Sequence, residues 1–515
     1  MKPTLLVLGD QLTRQVGPLA RRGPDDVQVL MIESRGILHA LPHHAQKLTV
    51  FLSAMRHFAA DLEADGYAVQ YLRLDHPAAD DFASGLQHHL DTVDADRILL
   101  QRPNDHGVHE PIEEACATLG VPLEILANEL WVTPDATFDA WAETRKTLRL
   151  EHFYRTVRRE TGLLMDGPDA PRGGEWNYDA ENRGRPDPTR TPPTLPTFEP
   201  DALTREVQRD VAALPHAWGA VDPFGWPVTR RDALTVLQHF LDARLDDFGT
   251  FQDAMVGGQP TMWHSTLSVP LNLGLLHPRE VLDATLAHAE QRERAGRPVP
   301  LNALEGFVRQ ILGWREFLHH VYRTRGAALR DMNELGAHAD LPPAYWGAPT
   351  ELACLADTLQ QLEAMGYTHH IQRLMVLGNL AQLVGVNPQA LLAWFTATHV
   401  DALDWVMVPN VIGMSQYADG GTLTSKPYAA GANYLNRMSD HCGPCRFDPK
   451  AKDGPDACPI TSWYWSFIDR HEERFAPNPR MRMIVSAWRK RPEDDKQRVR
   501  ERASQTRDAF LRGEL

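Results

Sequence analysis

The chain has 515 residues, 43% of them hydrophobic, which is too long for one ordinary core and predicts two or three domains. The net charge of −15 excludes a protein that binds nucleic acid over its whole surface, although a local basic groove is compatible with it. No run of about 18 apolar residues occurs, and the apolar start is too short for a signal-peptide core, so we expect a cytoplasmic protein.

The first 135 residues alternate strand and helix patterns. Between the second and third apolar runs, Leu48, Leu52 and Met55 follow helical spacing. Such alternation predicts a parallel, doubly wound sheet that binds ligands beyond the strand C-termini, where Asp10 and Glu33 lie. The predicted strands are Leu5–Leu8, Val27–Ile32, Val69–Leu72, Ile98–Leu100 and Leu123–Leu126.

Residues 136–229 are predicted to form an interdomain helix and a proline-rich linker. Residues 166–200 contain eight prolines, a composition typical of extended chain. The basic side chains from Arg145 to Arg159 suit contacts with DNA phosphates, or else form a solvated helix face.

From residue 230 onward, long amphipathic helices dominate and no strand pattern is convincing. The sequence therefore predicts a mostly α-helical domain over 230–515. The predicted helices are 231–246, 278–293, 301–324, 351–365, 369–384 and 387–398.

Four of the five cysteines suit one metal site. Cys442 and Cys445 are two residues apart, Cys458 precedes a proline, and Cys354 lies far upstream. Four thiolates hold either zinc or a 4Fe–4S cluster. Zinc sites usually present two close pairs, whereas a Cys-Pro ending is typical of ferredoxin-like ligation, so the spacing favours the cluster. Scattered buried cysteines are the third alternative, and Cys116 is expected to be one.

Several stretches resemble the bacterial photolyase/cryptochrome family that carries an iron–sulfur cluster, the group of prokaryotic (6-4) photolyases and related cryptochromes. The resemblance covers nearly the whole chain. The matching stretches are Leu8–Leu12, Trp176–Asp179, His264–Ser268, Leu271–Gly274, Glu305–Phe317, Thr368–Met375, Pro409–Ser415, Ala418–Gly421 and Lys426–Tyr428.

The resemblance implies an α/β antenna domain over 1–135 that holds a lumazine-type chromophore near Asp10, Glu33 and Lys47, and an all-α domain over 230–515 that binds FAD. It also implies blue-light electron transfer to UV-damaged DNA by a monomer without a membrane anchor. The matching FAD positions are His264, Ser265, Leu267, Ser268, Asn272, Gln310, Trp314, Arg373, Asp401, Met407 and Asn410.

Three of these positions have a specific physical meaning. Arg373 and Asp401 resemble the family's ion pair beside the flavin, where a cation stabilises negative charge on the reduced ring. Met407 departs from the family because a thioether stands where relatives place a polar or acidic side chain facing flavin N5. A neighbour such as Asp404 or Asn410 is the candidate substitute.

The pair His369-His370 is the sharpest catalytic signal. In the resembled family these positions approach the lesion. Repair of a (6-4) photoproduct moves a hydroxyl between two bases, and a protonated histidine can donate to the leaving oxygen. Cyclobutane dimers need no such donor, so the pair favours (6-4) chemistry and predicts a protonated His370.

Trp346 and Trp394 resemble the family's photoreduction route, with Phe395 where relatives often carry tyrosine. The leading hypothesis is a (6-4) DNA photolyase. A cryptochrome that signals through a protein partner is the second hypothesis, and a zinc-stabilised, nucleic-acid-binding helical protein without flavin is the third.

Overall fold

The computed structural model describes residues 2–451 and 454–515 and begins with a five-stranded parallel sheet. The strand order β3-β2-β1-β4-β5 runs outward in both directions from β1, which is the doubly wound arrangement predicted. The strands are β1 (Lys2–Leu6), β2 (Gln28–Ile32), β3 (Val69–Leu72), β4 (Ala95–Gln101) and β5 (Leu123–Leu126).

Strand β1 begins earlier than the apolar run Leu5–Leu8 predicted. Thr4 already pairs with Gln28, and its side chain is buried against His89. Val7 and Leu8 are buried beyond the strand end, so burial and strand pairing cover different stretches. The helices of this region and of the linker are Arg35–His39, Ala45–Ala64, Phe82–Thr92, His106–Leu119, Asp135–Glu143, Leu150–Thr161 and Ala202–Ala212.

The proline-rich segment is mostly extended, as predicted, apart from the short strands Met165–Gly167 and Ala170–Pro171 and the 3₁₀ turn Asp179–Glu181. It is held by Arg158, a fully buried side chain that donates to the carbonyls of Leu163 and Trp176, and also to Leu164. Arg158 therefore belongs to the interior and not to a DNA-binding surface, whereas Arg145 is exposed.

The remainder is helical, and no sheet strand occurs after residue 230 in the parts of the chain described. Three segments are π-helical, with one extra residue per turn: Arg309–Arg315, Gln372–Gly378 and Pro409–Ser415. The α-helices are Arg230–Ala243, Leu245–Phe248, Ser268–Leu273, Pro278–Arg294, Leu301–Val308, Glu316–Arg330, Ala353–Met365, Asn379–Val384, Pro388–Thr398, Asp404–Val408, Ala432–Met438, Pro459–Arg470, Glu472–Phe475, Arg482–Arg489 and Glu493–Arg512.

Local sequence explains several of these boundaries. The Asn387 side chain accepts from the amides of Gln389 and Ala390, and Pro388 takes the first helical position, so the helix begins there. The predicted helix 231–246 breaks at Arg244 because this buried side chain turns to donate to the carbonyls of Met262 and His264.

The sheet and the helical region are joined by buried polar contacts. Asp105, beyond β4, accepts hydrogen bonds from the amides of Asp404 and Trp405 at 3.4 and 2.9 Å. Glu316 accepts from the amide of Thr133 at 2.8 Å. None of the helices described has the length and apolarity that crossing a bilayer requires.

Replacing Arg158 by leucine should release the linker, because buried carbonyl groups lose their donors at a cost of about 1–3 kcal/mol each. We expect a lower urea midpoint and faster proteolytic cleavage between residues 166 and 200. The matched control is Arg159→Leu, which removes an exposed ion pair to Asp169 and a cation–π contact with Trp176 but no buried hydrogen bond, so it should change both measurements much less. Equal effects of the two substitutions would contradict this role for Arg158.

Candidate functional site

One cavity in the helical region is lined by every residue that the sequence assigned to FAD. The structure brings these positions together from segments more than a hundred residues apart. They are His264, Ser265, Leu267, Ser268, Asn272, Gln310, Trp314, Arg373, Asp401, Met407 and Asn410. His370 also lines this cavity.

All three π-helical segments contribute to the cavity wall. Arg309–Arg315 supplies Gln310 and Trp314, Gln372–Gly378 supplies Arg373, and Pro409–Ser415 supplies Asn410 among others. A π-turn shifts the side chains that follow it around the helix axis, and such turns are frequent at functional sites. The sequence predicted helices here but not their widening.

The ion pair between Arg373 and Asp401 is formed. Nη1 and Nη2 of Arg373 lie 2.9 and 3.2 Å from the two carboxylate oxygens of Asp401, and Nε donates to the Thr368 carbonyl at 2.7 Å. Asn272 holds the Asp401 backbone carbonyl at 2.8 Å. The guanidinium is therefore fixed at the cavity wall with one carboxylate partner.

The loop before helix Ser268–Leu273 carries backbone strain. Thr266, which lines the cavity, has φ +57°, and Met262 has φ +43°. Left-handed conformations of such residues cost about 1–3 kcal/mol and cluster at functional sites. The Ser265 hydroxyl accepts from the amide of Leu267 at 3.3 Å, which tightens the turn.

The two histidines of the predicted pair have different positions. His369 is fully buried behind the wall, where its ring stacks on His264 with centroids 4.7 Å apart and an angle of 14°. Neither ring nitrogen of His369 has a hydrogen-bond partner. Only His370 is exposed to the cavity, so His369 is placed to support and not to contact a bound molecule.

The prediction of a protonated His370 applies to the protein with a lesion bound; without one, the surroundings of His370 favour the neutral ring. Although the ring is accessible from the cavity, its depth inside the protein, followed by the Arg373 charge, lowers the pKa of His370 to about 4. Burial also lowers the pKa of His264 to about 3. The protein alone favours neutral imidazoles near neutral pH, and a bound anion would be needed to raise these pKa values.

Met407 is buried at the cavity wall, and the structure separates its two candidate substitutes. Asn410 lines the cavity; its amide nitrogen donates to the Val406 carbonyl at 2.8 Å, which leaves its oxygen able to accept. The Asp404 carboxylate pairs with Arg330, and Asp404 is not among the described residues of the cavity wall.

Sequence reasoning missed a cation–π cluster at the cavity wall. The Arg315 guanidinium lies over the rings of Trp131 and Trp405, at 4.1 and 4.9 Å from their centroids, and the two rings meet edge to face 4.8 Å apart. Its Nε and Nη1 are buried without hydrogen-bond partners. The stretch Trp314-Arg315 indicated a functional position in the sequence. The aromatic rings that contact Arg315 come from distant segments, so residue spacing could not identify them.

The two predicted electron-transfer tryptophans differ in exposure. Trp394 is 1% exposed and contacts Phe395, a cavity residue, with centroids 5.0 Å apart. Trp394 also contacts Tyr345 at 4.9 Å and donates to its carbonyl at 2.9 Å. The described ring contacts therefore lead from the cavity through Trp394 to Tyr345, an unpredicted member. Trp346 follows Tyr345 in the chain, is 39% exposed and has its described ring contact with Trp218 at 5.9 Å.

A second, mainly apolar cavity lies at the C-terminal ends of the sheet strands and is lined by Asp10, Glu33 and Lys47. The Glu33 carboxylate is saturated by Arg56, Tyr71 and the Leu74 amide. Burial raises the pKa of Asp10 and lowers the pKa of Lys47 to about 8. Asp10 and Lys47 therefore carry the remaining polar chemistry of this predicted antenna site.

The four predicted metal-binding cysteines converge. None forms a disulfide, and Cys354 and Cys458 are buried. Burial raises the pKa of Cys354, and the proximity of Cys458, Cys442 and Cys445 raises it further. Among the described residues, no three of these sulfurs lie within 4.8 Å of one another, and Cys116 lies apart in the sheet region.

Comparison with known proteins agrees with this arrangement. The profile of the family described as "Deoxyribodipyrimidine photo-lyase-related protein" matches residues 5–226. A relative from Agrobacterium fabrum named "(6-4) photolyase" is 40% identical over 516 residues, covering 99% of each chain.

Two solved structures have the same fold. A bacterial class III photolyase from Agrobacterium tumefaciens has a TM-score of 0.58 at 16% identity and covers 99% of this chain and 96% of its own. A cryptochrome from Synechocystis has a TM-score of 0.57 at 14% identity and covers 99% of both chains. Because the Agrobacterium fabrum relative is 40% identical over the full length, the chain belongs to the photolyase/cryptochrome family, in the branch that contains this (6-4) photolyase.

Proposed function

We propose that this protein is a (6-4) DNA photolyase that repairs pyrimidine–pyrimidone photoproducts under blue light, with FAD in the cavity of the helical region. The observation that carries the proposal is the full-length likeness to a (6-4) photolyase together with His370 at the cavity wall. Since the site lies inside the protein, the lesion has to leave the duplex, and damaged bases cost less to extrude.

The cavity residues fit FAD in their chemistry. Phe248, Phe307 and Leu318 provide apolar walls for a ring system, and the unpartnered Arg315 nitrogens suit an anionic group. FAD, when bound and reduced, supplies the electron that blue light drives to the lesion. Arg373, held by Asp401, is placed to stabilise negative charge on such a cofactor.

His370 is the proposed proton donor, and His369 its support. The phosphates of the DNA and the charge on the lesion raise the pKa of a nearby imidazole, which opposes the effects of burial and Arg373. His370 would then hold a proton only when DNA is bound. The proton would pass from the imidazole to the hydroxyl oxygen that leaves the lesion.

The four cysteines fit a 4Fe–4S cluster better than zinc. Zinc–sulfur bonds of about 2.3 Å place the sulfurs of a tetrahedral site about 3.8 Å apart. The lack of three such closely spaced sulfurs among the described residues is compatible with a cluster of several irons, which the Cys-Pro ending at Cys458 favours. Burial raises the pKa of the Cys458 thiol to about 12, so its ligation requires the positive charge of the metal to produce a thiolate.

The wider organisation follows from the same family likeness. We assign residues 1–135 to an antenna domain with a lumazine-type chromophore in the cavity beside Asp10 and Lys47, residues 136–229 to the interdomain segment, and residues 230–515 to the catalytic domain. Trp394 and Trp346, with Phe395 and Tyr345 beside Trp394, form the proposed photoreduction path. A monomer is expected to bind the DNA.

His370→Ala should reduce repair of a (6-4) oligonucleotide by about 100- to 10,000-fold, the range for loss of a general acid, while flavin content and lesion binding stay unchanged. His370→Asn keeps hydrogen bonding but cannot donate a proton in this way, so it should lose as much. His216→Ala, at an exposed histidine outside the described cavities, is the control.

Near-normal repair by His370→Asn would show that His370 acts through hydrogen bonding and not as a proton donor. A reduced, illuminated wild-type protein that repairs no lesion would instead favour light signalling of the cryptochrome kind.

Cys458→Ala should yield iron-free and mostly insoluble protein, because the ligands join segments about a hundred residues apart and metal binding contributes to folding. Iron analysis and the visible spectrum measure the loss. Cys116→Ala, at the buried cysteine of the sheet region, should retain full iron content. Soluble, flavin-loaded Cys458→Ala protein would show that the cluster is dispensable for folding.

Trp394→Phe should slow photoreduction of the oxidised protein strongly, since Trp394 alone among the path residues contacts both Phe395 and Tyr345. Repair by chemically reduced protein should be unchanged, which separates the path from the repair step. Trp465→Phe, outside the cavity wall and the aromatic path, is the control. Unchanged photoreduction in the Trp394 variant would require a different route.

A further inference from the structure

A third cavity, of about 410 Å³, lies between the C-terminal helices and the loop around residue 336. It combines two arginines, two histidines and two glutamines, and no aspartate or glutamate occurs among the described residues that line it. We call it the arginine cavity; its polar side chains are Asn333, His338, Gln382, Gln416, Arg470, His471 and Arg507.

Arg470 and Arg507 place two positive charges at this cavity. Each donates to a carbonyl at the end of helix Asn379–Val384: Arg470 Nη2 to Leu383 at 2.6 Å, and Arg507 Nε to Val384 at 2.7 Å. These bonds cap the helix and orient both guanidinium groups, but they use only part of the five N–H donors on each.

The two charges are poorly compensated. Burial, followed by the charge of Arg507, lowers the pKa of Arg470 to about 10. The carboxylate recorded near them is that of Asp508, an exposed neighbour 3.3 Å from Arg507. His471 lies beside them and is neutral near pH 7, because burial, followed by the charges of Arg470 and Arg474, lowers its pKa to about 4. An anion between the guanidinium groups would relieve their repulsion.

Gln382 provides an independent sign of a ligand. Gln382 is 3% exposed and lines the cavity. Neither its amide nitrogen nor its amide oxygen has a hydrogen-bond partner. Buried amides without partners are rare because each unmade bond leaves the full cost of desolvation. A ligand with its own donor and acceptor would satisfy both atoms.

We propose that the arginine cavity binds a small oxyanionic molecule, whose phosphate or carboxylate oxygens accept from Arg470 and Arg507 and whose remaining polar groups meet Gln382. The chemistry is that of guanidinium recognition of oxyanions. This site is independent of the proposed flavin and DNA chemistry.

The arginine cavity adjoins the wall of the proposed FAD site. Gln416 lines the arginine cavity and donates at 2.9 Å both to the Gly378 carbonyl and to the Ser415 hydroxyl. These are the last residues of two π-helical segments, and Ser415 lines the FAD cavity. The two cavities therefore share a wall, and the hydrogen bonds of Gln416 hold that wall together.

Calorimetric titration of the full-length holoprotein with inorganic phosphate, and separately with succinate, tests the site. At least one should bind saturably at one site per chain, with a dissociation constant below about 1 mM. Arg470→Gln and Gln382→Leu should each weaken this binding at least tenfold. Arg512→Gln, at an exposed arginine of the same C-terminal helix as Arg507, is the matched control and should bind normally.

Thermal unfolding of Gln382→Leu distinguishes a ligand-binding residue from a structural one. Because the Gln382 amide has no partner in the protein, leucine should leave Tm unchanged or raise it. A lowered Tm would show that Gln382 stabilises the fold and would overturn its assignment. Absence of saturable binding by both anions, normal binding by Arg470→Gln, or displacement of the anion by undamaged duplex DNA would overturn the small-molecule site.

Discussion

The widening of three helices around one cavity is the constraint on which the rest of the site depends. Each π-helical segment carries a glycine at a point of close packing: Gly313 against Tyr154, Gly378 against Ser415, and Gly413 against Leu423. A side chain at Gly378 or Gly413 would collide with these neighbours. The Gly378–Ser415 contact joins two of these segments directly, and all three segments supply side chains to one cavity wall, among them Gln310, Arg373 and Asn410.

The electrostatics of the cavity follow from crowding groups of one sign. His264, His369, His370, Arg315 and Arg373 all contact it or lie directly behind it, whereas Asp401 is its one carboxylate among the described lining residues. Burial and the arginines keep the histidines neutral, which avoids stacking further positive charge. Such a site is stable without a bound anion. Its electrostatic energy becomes more favourable when an anionic cofactor or a phosphate enters.

Long-range ties hold this architecture in place. The Asp105 carboxylate fixes the start of helix Asp404–Val408, and thereby Trp405, to the end of β4. Arg158 fixes the linker from within. The cysteines lie on the helix that begins at Ala353 and on the loop before Pro459, so a metal bound there would link segments about a hundred residues apart.

The sequence by itself determined the doubly wound sheet, the helical character of the second half and the proline-rich linker. These features are local: strand and helix periods, prolines and motif spacing can each be recognised without knowing the neighbours. The resemblance then joined the motifs into one site, because the full set of residues occurs in order along nearly the whole chain.

Only the tertiary structure decided how the individual side chains act. It separated His370 at the cavity from His369 behind it, favoured Asn410 over Asp404 beside Met407, saturated Glu33 and buried Arg158. It also placed Arg315 over two tryptophan rings and assembled the arginine cavity from five separate segments of the chain. Burial, charge and stacking depend on partners far apart in the chain, and a sequence pattern does not contain those distances.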